Sequence, residues 1–284
     1  NLFIKDIYHE QFFLRDNMIP AELIVANPNY LRIMRGLKVP EDIYTHISGI
    51  DLIRNEDGKF FVLEDNLRTP SGVSYMLENR EITRRLYPKF IPKNKVLPIN
   101  NYPTLLYNQL KSLVNKKKPA IVLLTPGLFN SAYYEHTALA RLMGVELVEG
   151  NDLVVENNHV YMKTAGGLKV VDIIYRRIDD EFLDPLNFNS SSILGVAGIM
   201  DCYREGNVII VNAPGSGIAD DKAVYTYVPE MISYYLNEEP ILENIKTYKL
   251  SNNDEKEYVI KNIEKLVIKR TDGSGGYGLS LIHI

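Results

Sequence analysis

Glu64, Asn66 and Arg68 fall at every second position after the apolar run Phe61-Val62-Leu63. Alternate residues of a β-strand share a face, so a carboxylate, an amide and a guanidinium project together there. Two hard oxygen donors beside a fixed positive fork suit a magnesium-bound polyphosphate. The preceding stretch Gly49 to Arg54 is extended in character, and Asn55-Glu56-Asp57-Gly58 is a turn signal. A two-residue Asp57-Gly58 loop sets Asp51 directly opposite Glu64, whereas a four-residue loop sets it diagonal on the same face. Like charges across a hairpin repel, and a divalent cation turns that repulsion into attraction. The alternative is a solvated edge hairpin whose acids only face water.

A second chemical pattern lies near the other end. Leu266-Val267-Ile268-Lys269 reads as a strand, and Gly273, Ser274, Gly275, Gly276, Tyr277 and Gly278 follow shortly after it. Glycines let a backbone approach a polyphosphate and point N–H groups at it. Ser274 adds a hydroxyl and Lys269 a point charge for a phosphate oxygen. The lysine precedes the glycines and no Gly-Lys-Ser/Thr follows, so this is not a P-loop. Alone, such a loop is equally a flexible connection; beside an acidic strand it gains meaning.

The elements that must position these groups follow from pattern. A helix opens the chain (Leu2, Ile4, Ile7, Tyr8, Phe12), the acidic hairpin follows, and a helix covers Gly72 to Tyr87. Prolines 88, 92 and 98 mark a linker. From Pro103 the expected order is helix, the buried strand Ala120 to Leu124, a helix ending before Gly144, the strand Val145 to Val148, and a hairpin around Asn157-Asn158. The strand Val170 to Tyr175, the helix Ser192 to Glu205 and the strand Val208 to Val211 complete this region. Strands alternating with helices imply a Rossmann-like open sheet, and no G-x-G-x-x-G follows its first strand. Helices from Asp220 through Tyr235 and over Glu255 to Lys265 lead to the glycine loop. The fold class expected is α/β: α+β lobes plus the open sheet. The domain boundaries expected are 1–98, 99–218 and 219–284.

Composition narrows the classes. The 284 residues are 45% hydrophobic and 24% charged with net charge −4, as in an ordinary globular protein without a basic stripe for nucleic acid. No apolar run approaches the roughly 20 residues of a membrane helix. Cys202 is the only cysteine, which excludes an intrachain disulfide and fits a cytoplasmic setting; it reads as a small core residue.

Read together, the two patterns resemble the halves of an ATP-grasp nucleotide site. The acidic strand precedes the lysine and glycine loop, the inverse of the ordinary order, so the chain is similar to the circularly permuted ATP-grasp family. Further stretches carry the resemblance: Leu67-Arg68-Thr69-Pro70-Ser71-Gly72-Val73-Ser74-Tyr75, Tyr175-Arg176-Arg177-Ile178-Asp179-Asp180, Asn212-Ala213-Pro214-Gly215-Ser216-Gly217 and Asp220-Asp221-Lys222-Ala223. It extends to residue 278, and residues 279–284 depart from it. The resemblance implies that Asp51, Glu64 and Asn66 bind Mg²⁺ on the β- and γ-phosphates. It implies that Arg68 neutralises the transferring phosphoryl group and that Lys269 and the loop Gly273 to Gly278 hold the triphosphate. Lys222 is either a further nucleotide lysine or a surface residue at a helix start.

The activity implied is ATP- and Mg²⁺-dependent ligation of a carboxylate to an amine through an acylphosphate, as in peptide-bond formation. A non-catalytic nucleotide-binding protein and an ATP-dependent phosphotransferase are the other readings. The partners expected are a small-molecule or peptide carboxylate and an amine, with neither nucleic acid nor membrane. Arg176 and Arg177 lie past a strand end, where open sheets bind ligands. They either hold a substrate carboxylate or pair with Asp179, Asp180 or Glu181. Ser71 either contacts substrate or caps the next helix, Asn130 is a further substrate candidate past another strand end, and His136 reads as a helix-surface histidine. An adenine-binding strand is expected after the glycine loop, so this stretch is expected to hold an incomplete, inactive ATP site.

Overall fold

The computed structural model describes residues 1–89 and 96–273, so the expectations for Ser274, Gly275, Gly276, Tyr277 and Gly278 lie outside the described residues. The chain separates into two units, each assembled from segments distant in sequence: Asn1–Leu37, Ser48–Arg68 and Gly215–Ile284 form the first, Lys38–Ile47 and Thr69–Pro214 the second.

In the first unit, β1 (Gly49–Arg54) pairs antiparallel with β2 (Phe60–Asn66). The connection is a three-residue loop, Glu56 to Gly58, inside the hydrogen-bonded pair Asn55–Lys59 (Asn55 N–H to Lys59 O, 2.9 Å). Gly58 sits at φ +85°, the left-handed position that closes such a loop. The opening helical pattern breaks into Leu2–Tyr8 and Phe12–Arg15, because the Asp6 carboxylate accepts the N–H groups of Phe12 and Phe13, both at 2.9 Å, and starts the chain again. Phe3, Ile4, Ile7 and Phe13 are buried, and Phe13 stacks on Tyr235 at 5.6 Å. Tyr8 donates to Gly215 O at 3.1 Å, and a Cβ on Gly215 would lie 2.4 Å from that hydroxyl. The helix expected from Asp220 through Tyr235 is divided into Lys222–Tyr225 and Val228–Leu236. That expected over Glu255 to Lys265 is Asn253–Lys261 with a 3₁₀ turn beyond it. Leu266 to Lys269 forms no regular strand, only a single bridge at Ile268.

The second unit holds a parallel sheet: β3 (Ile121–Leu124), β4 (Glu146–Val148), β8 (Ile173–Arg176) and β9 (Ile209–Val211), in the order β4-β3-β8-β9. The helices Tyr102–Ser112 and Tyr133–Met143 cover it through Leu106, Leu110, Leu139 and Met143. A continuous apolar run becomes a strand buried on both faces here, as the sequence predicts. β5 (Leu153–Glu156), β6 (His159–Thr164) and β7 (Gly167–Val170) form a separate antiparallel sheet. The expected single strand Val170 to Tyr175 is therefore two. Val170 pairs with Tyr161, while the Asp172 carboxylate takes the N–H of Ala120 at 2.7 Å and the strand Ile173–Arg176 starts in the other sheet. The helix expected over Ser192 to Glu205 spans only Ile199–Arg204, and Cys202 is buried in it. The architecture is α/β.

Candidate active site

The site in the first unit is built on the hairpin. Near its tip Arg54 opposes Phe60, Ile53 opposes Phe61 and Leu52 opposes Val62; continued unbroken, that register would set Asp51 across from Leu63. A one-residue shift between Asp51 and Leu52 leaves Leu63 as the extra residue of a bulge and sets Asp51 directly opposite Glu64. Beside the bulge the Val62 N–H donates to Glu243 O at 2.9 Å, and Val62 O accepts from Ile245 N–H at 2.8 Å and Tyr225 O–H at 2.6 Å. Neither loop length considered above occurs, yet the direct opposition does.

Burial raises the Asp51 carboxyl above its ordinary range and the facing Glu64 raises it further; Lys269 and a hydrogen bond with Asn66 act in the opposite sense. Burial, followed by the charge of Asp51, likewise raises Asp65. Lys269 Nζ lies 3.4 Å and Lys222 Nζ 3.5 Å from Glu64 Oε2. Lys222 Nζ also donates to Gly273 O at 2.5 Å, and its main-chain N–H to Thr271 O at 2.9 Å. Asp51, Glu64, Asn66, Lys222, Lys269 and Gly273 thus belong to one cluster, with two carboxylates balanced by two ammonium groups. The side chains of Glu64, Lys222 and Lys269 keep 24%, 19% and 28% of their exposure, so a solute can reach them. Arg68 follows the end of β2, and its Nη1 donates to Asn29 Oδ1 at 3.4 Å.

Among the described residues no group of three or more His, Cys, Asp or Glu is placed to hold a metal. Asp51, Glu64 and Asn66 supply two carboxylates and an amide, which fits a cation that keeps several waters and takes its remaining oxygens from phosphate. It does not fit a cation needing an all-protein cage.

The second unit contains the substrate candidates. Arg176 is fully buried and donates to the carbonyls of Asn212 (2.8 Å), Ile178 (3.0 Å) and Ala213 (3.2 Å), with Asp180 at 2.9 Å. All of these partners lie within the fold, and the ion pair with Asp180 is one of the two arrangements expected for it. Arg177 is also buried, donating to Pro70 O (2.6 Å), Tyr175 Oη (3.2 Å), Glu135 Oε1 (3.2 Å) and Ser71 Oγ. Asn130 Oδ1 accepts the Ala132 N–H at 2.9 Å, a turn that leads into the helix Tyr133–Met143. His136 is no surface residue: it is buried against Thr125 Oγ1 at 2.8 Å, and burial, then the charge of Arg177, pushes its pKa down to about 3.

Glu135 went unforeseen. Fully buried, it accepts the N–H groups of Gly72 (2.8 Å) and Ser74 (3.0 Å) at the start of the helix Val73–Leu86 and pairs with Arg177. Sequence shows it only as one acid in Tyr133-Tyr134-Glu135-His136; its position on the apolar, buried face of that helix is the signal that was available.

The chain matches the sequence model of a family described as circularly permuted ATP-grasp type 2 over residues 1–283. It belongs to that family. The matched range runs past Gly278 and includes residues 279–283, which corrects the expectation that these depart from the family. An uncharacterised protein of Synechocystis is 46% identical over 281 residues, 98% of this chain and 58% of that protein. One of Mycobacterium tuberculosis is 49% identical over 279 residues, 98% of this chain and 51% of its own length. A Frankia alni protein named "Putative glutamate--cysteine ligase 2-3" is 38% identical over 282 residues, 98% of this chain and 32% of that protein. The chain thus spans about half the length of the first two relatives. No helix among the described residues of this ATP-grasp chain is long and apolar enough to cross a membrane.

Proposed function

We propose that this chain carries the triphosphate- and metal-binding groups of an ATP-dependent ligase that joins a carboxylate to an amine through an acylphosphate. The observation that supports it most is the 3.4 Å approach of Lys269 Nζ to Glu64 Oε2, between residues 205 apart in the chain. Asp51, Glu64 and Asn66 would hold Mg²⁺, whose charge when bound offsets that of the β- and γ-phosphates. Lys222 and Lys269 would leave Glu64 for phosphate oxygens, and Gly273 would begin the loop over the triphosphate. Arg68 would neutralise the group in transfer. Phosphoryl transfer depends chiefly on positioning and charge neutralisation, which these residues supply. The name of the Frankia alni relative is that of an enzyme joining a carboxylate to an amine, and it supports the same bond type.

The test is ADP release with ATP, Mg²⁺ and pools of amino acids and peptides, with hydroxylamine to trap an acylphosphate. We expect hydroxamate with the full-length wild-type protein that carries this sequence, and a loss of about 10²-fold or more in its Glu64→Ala and Lys269→Ala variants. Near-normal ADP release in both variants sinks the assignment. ADP release with a phosphorylated product and no hydroxamate assigns the transfer to a hydroxyl acceptor instead.

A further inference from the structure

Resting on the function just proposed, we infer that Asp220 and Gly217 are positioning residues that set Arg68 for its work on the transferring group. β2 ends at Asn66, so the two amides that follow lie beyond its ladder. The Leu67 N–H donates to Asp220 Oδ1 at 2.6 Å and the Arg68 N–H to the same oxygen at 3.2 Å, across 153 and 152 residues of sequence. N–H bonds to a carboxylate are charge-assisted and stronger than those to a neutral acceptor, so this clamp fixes the backbone from which the Arg68 side chain departs.

Asp220 is not spent as a helix cap. Its neighbour Asp221 does that, accepting the N–H groups of Ala223 (2.8 Å) and Val224 (3.2 Å) on one oxygen and Asn27 Nδ2 (2.8 Å) on the other. Lys222 comes next and reaches Glu64 and Gly273 O. Three consecutive residues therefore fix the end of the metal strand, begin a helix and meet the first glycine of the loop. Gly217, in the same 3₁₀ turn as Asp220, shapes the path of the arginine stem. A Cβ there would lie 2.9 Å from Arg68 Cδ and 3.5 Å from its Cβ and Cγ. The backbone of Gly217 is outside the left-handed region, so alanine is conformationally permitted; only the arginine stem would have to move.

The experiment measures ADP release and calorimetric binding of ATP with Mg²⁺ in the full-length protein that carries this sequence. Its variants are Asp220→Ala, Asp220→Asn and Gly217→Ala, each alone and with Arg68→Ala. A misplaced catalytic group loses about 10- to 100-fold in kcat, which we expect for Asp220→Ala and Gly217→Ala. KM for ATP and the calorimetric Kd should stay within about twofold, because the loss belongs to the transition state. Asp220→Asn should recover part of the rate, since its amide oxygen still accepts the Leu67 N–H. With Arg68→Ala present, the second substitutions should cost nothing further, the non-additivity of residues acting through one group. Additive losses, a loss residing in ATP affinity, or normal kcat in Gly217→Ala would overturn the inference. A wild type that releases no ADP removes the proposed function and this inference with it; an active wild type with equally active variants removes the inference alone. Should Asp220→Ala fail to fold, Gly217→Ala and Asp220→Asn carry the same comparison.

Discussion

Glu64 has two possible sets of partners, and the choice between them is the chemistry of the site. In the structure it pairs with Lys222 and Lys269, so the lysines proposed for a triphosphate are engaged by the carboxylate proposed for a metal. Removing the charge but keeping the shape separates the two roles. In Glu64→Gln, ATP binding without Mg²⁺ should tighten roughly twofold to fivefold, the worth of a partly exposed ion pair at about 0.5–1 kcal/mol. Mg²⁺ should then no longer improve it. Calorimetry with and without chelator checks this, and weaker metal-free binding contradicts the partner exchange. His136 carries a second residue-scale prediction. Its pKa falls from 6.5 to about 3 on folding, so the unfolded chain takes a proton that the native chain refuses. Its contribution to stability is complete above pH 6.5 and is lost as pH falls towards 3, at up to about 1.4 kcal/mol per pH unit. His46, also lowered by burial, adds in the same direction. His136→Asn should retain a partner for Thr125 and flatten that share of the acid slope in urea unfolding. An unchanged slope contradicts a neutral buried imidazole.

Elements decide which of these groups were legible. Alternation in β2 and the carboxylate on β1 were readable because a strand has period two and the turn signal was local. The route to the register was not. The loop has one residue more than the two-residue form, and the bulge at Leu63 restores the pairing; it sits beside Val62, whose backbone bonds to Glu243 and Ile245. No window around residue 60 contains that cause. The division at Asp172 had a visible sign, a charged residue within the apolar run Val170 to Tyr175. Asp220 had one too, since Asp220-Asp221 offers two acids where one caps the helix. Arg176 and Arg177 sit past a strand end, but pattern alone could not show that both are buried, Arg176 against carbonyls and Asp180 and Arg177 against Pro70 O and Glu135. Glu135 gives the prediction at this scale. Glu135→Ala leaves a buried Arg177 without its carboxylate and two amides at a helix start without an acceptor. Breaking a buried pair typically costs about 3–5 kcal/mol, so this variant should unfold at much lower urea. A loss under about 1 kcal/mol would mean that Arg177 finds water or another acceptor.

At the scale of the whole molecule, sequence order and spatial order disagree. The first unit joins Asn1–Leu37 and Ser48–Arg68 to Gly215–Ile284, with the whole of the parallel sheet inserted between its parts. The bonds that close it span 194 to 229 residues: Tyr8 to Gly215, Asn27 to Asp221, Glu64 to Lys269 and Tyr235 to Asp6. Each lies within the unit, and each has one partner before residue 69 and the other after residue 214. A circular permutation does this, because the strand bearing the proposed metal ligands and the stretch bearing the proposed phosphate-binding lysines lie on opposite sides of the inserted sheet in the sequence. Residues 1–98 expressed alone therefore lack the rings of Tyr234 and Tyr235 that pack on Phe13, and Asp6 lacks the Tyr235 hydroxyl at 2.7 Å. Without the segment after Pro214, whose helix Val228–Leu236 and turn Ser216–Asp220 pack on the opening helix, the buried Phe3, Ile4, Ile7 and Phe13 lose cover, at up to about 1.5–3 kcal/mol each. That exceeds what so small a piece can retain from a core of its own. The 1–98 fragment should show no cooperative urea transition by circular dichroism and no ATP binding by calorimetry, while the chain 1–284 unfolds cooperatively. A cooperative transition in the fragment would mean that the hairpin and the opening helices form a self-sufficient domain, and that the segment after Gly215 docks on a surface already made.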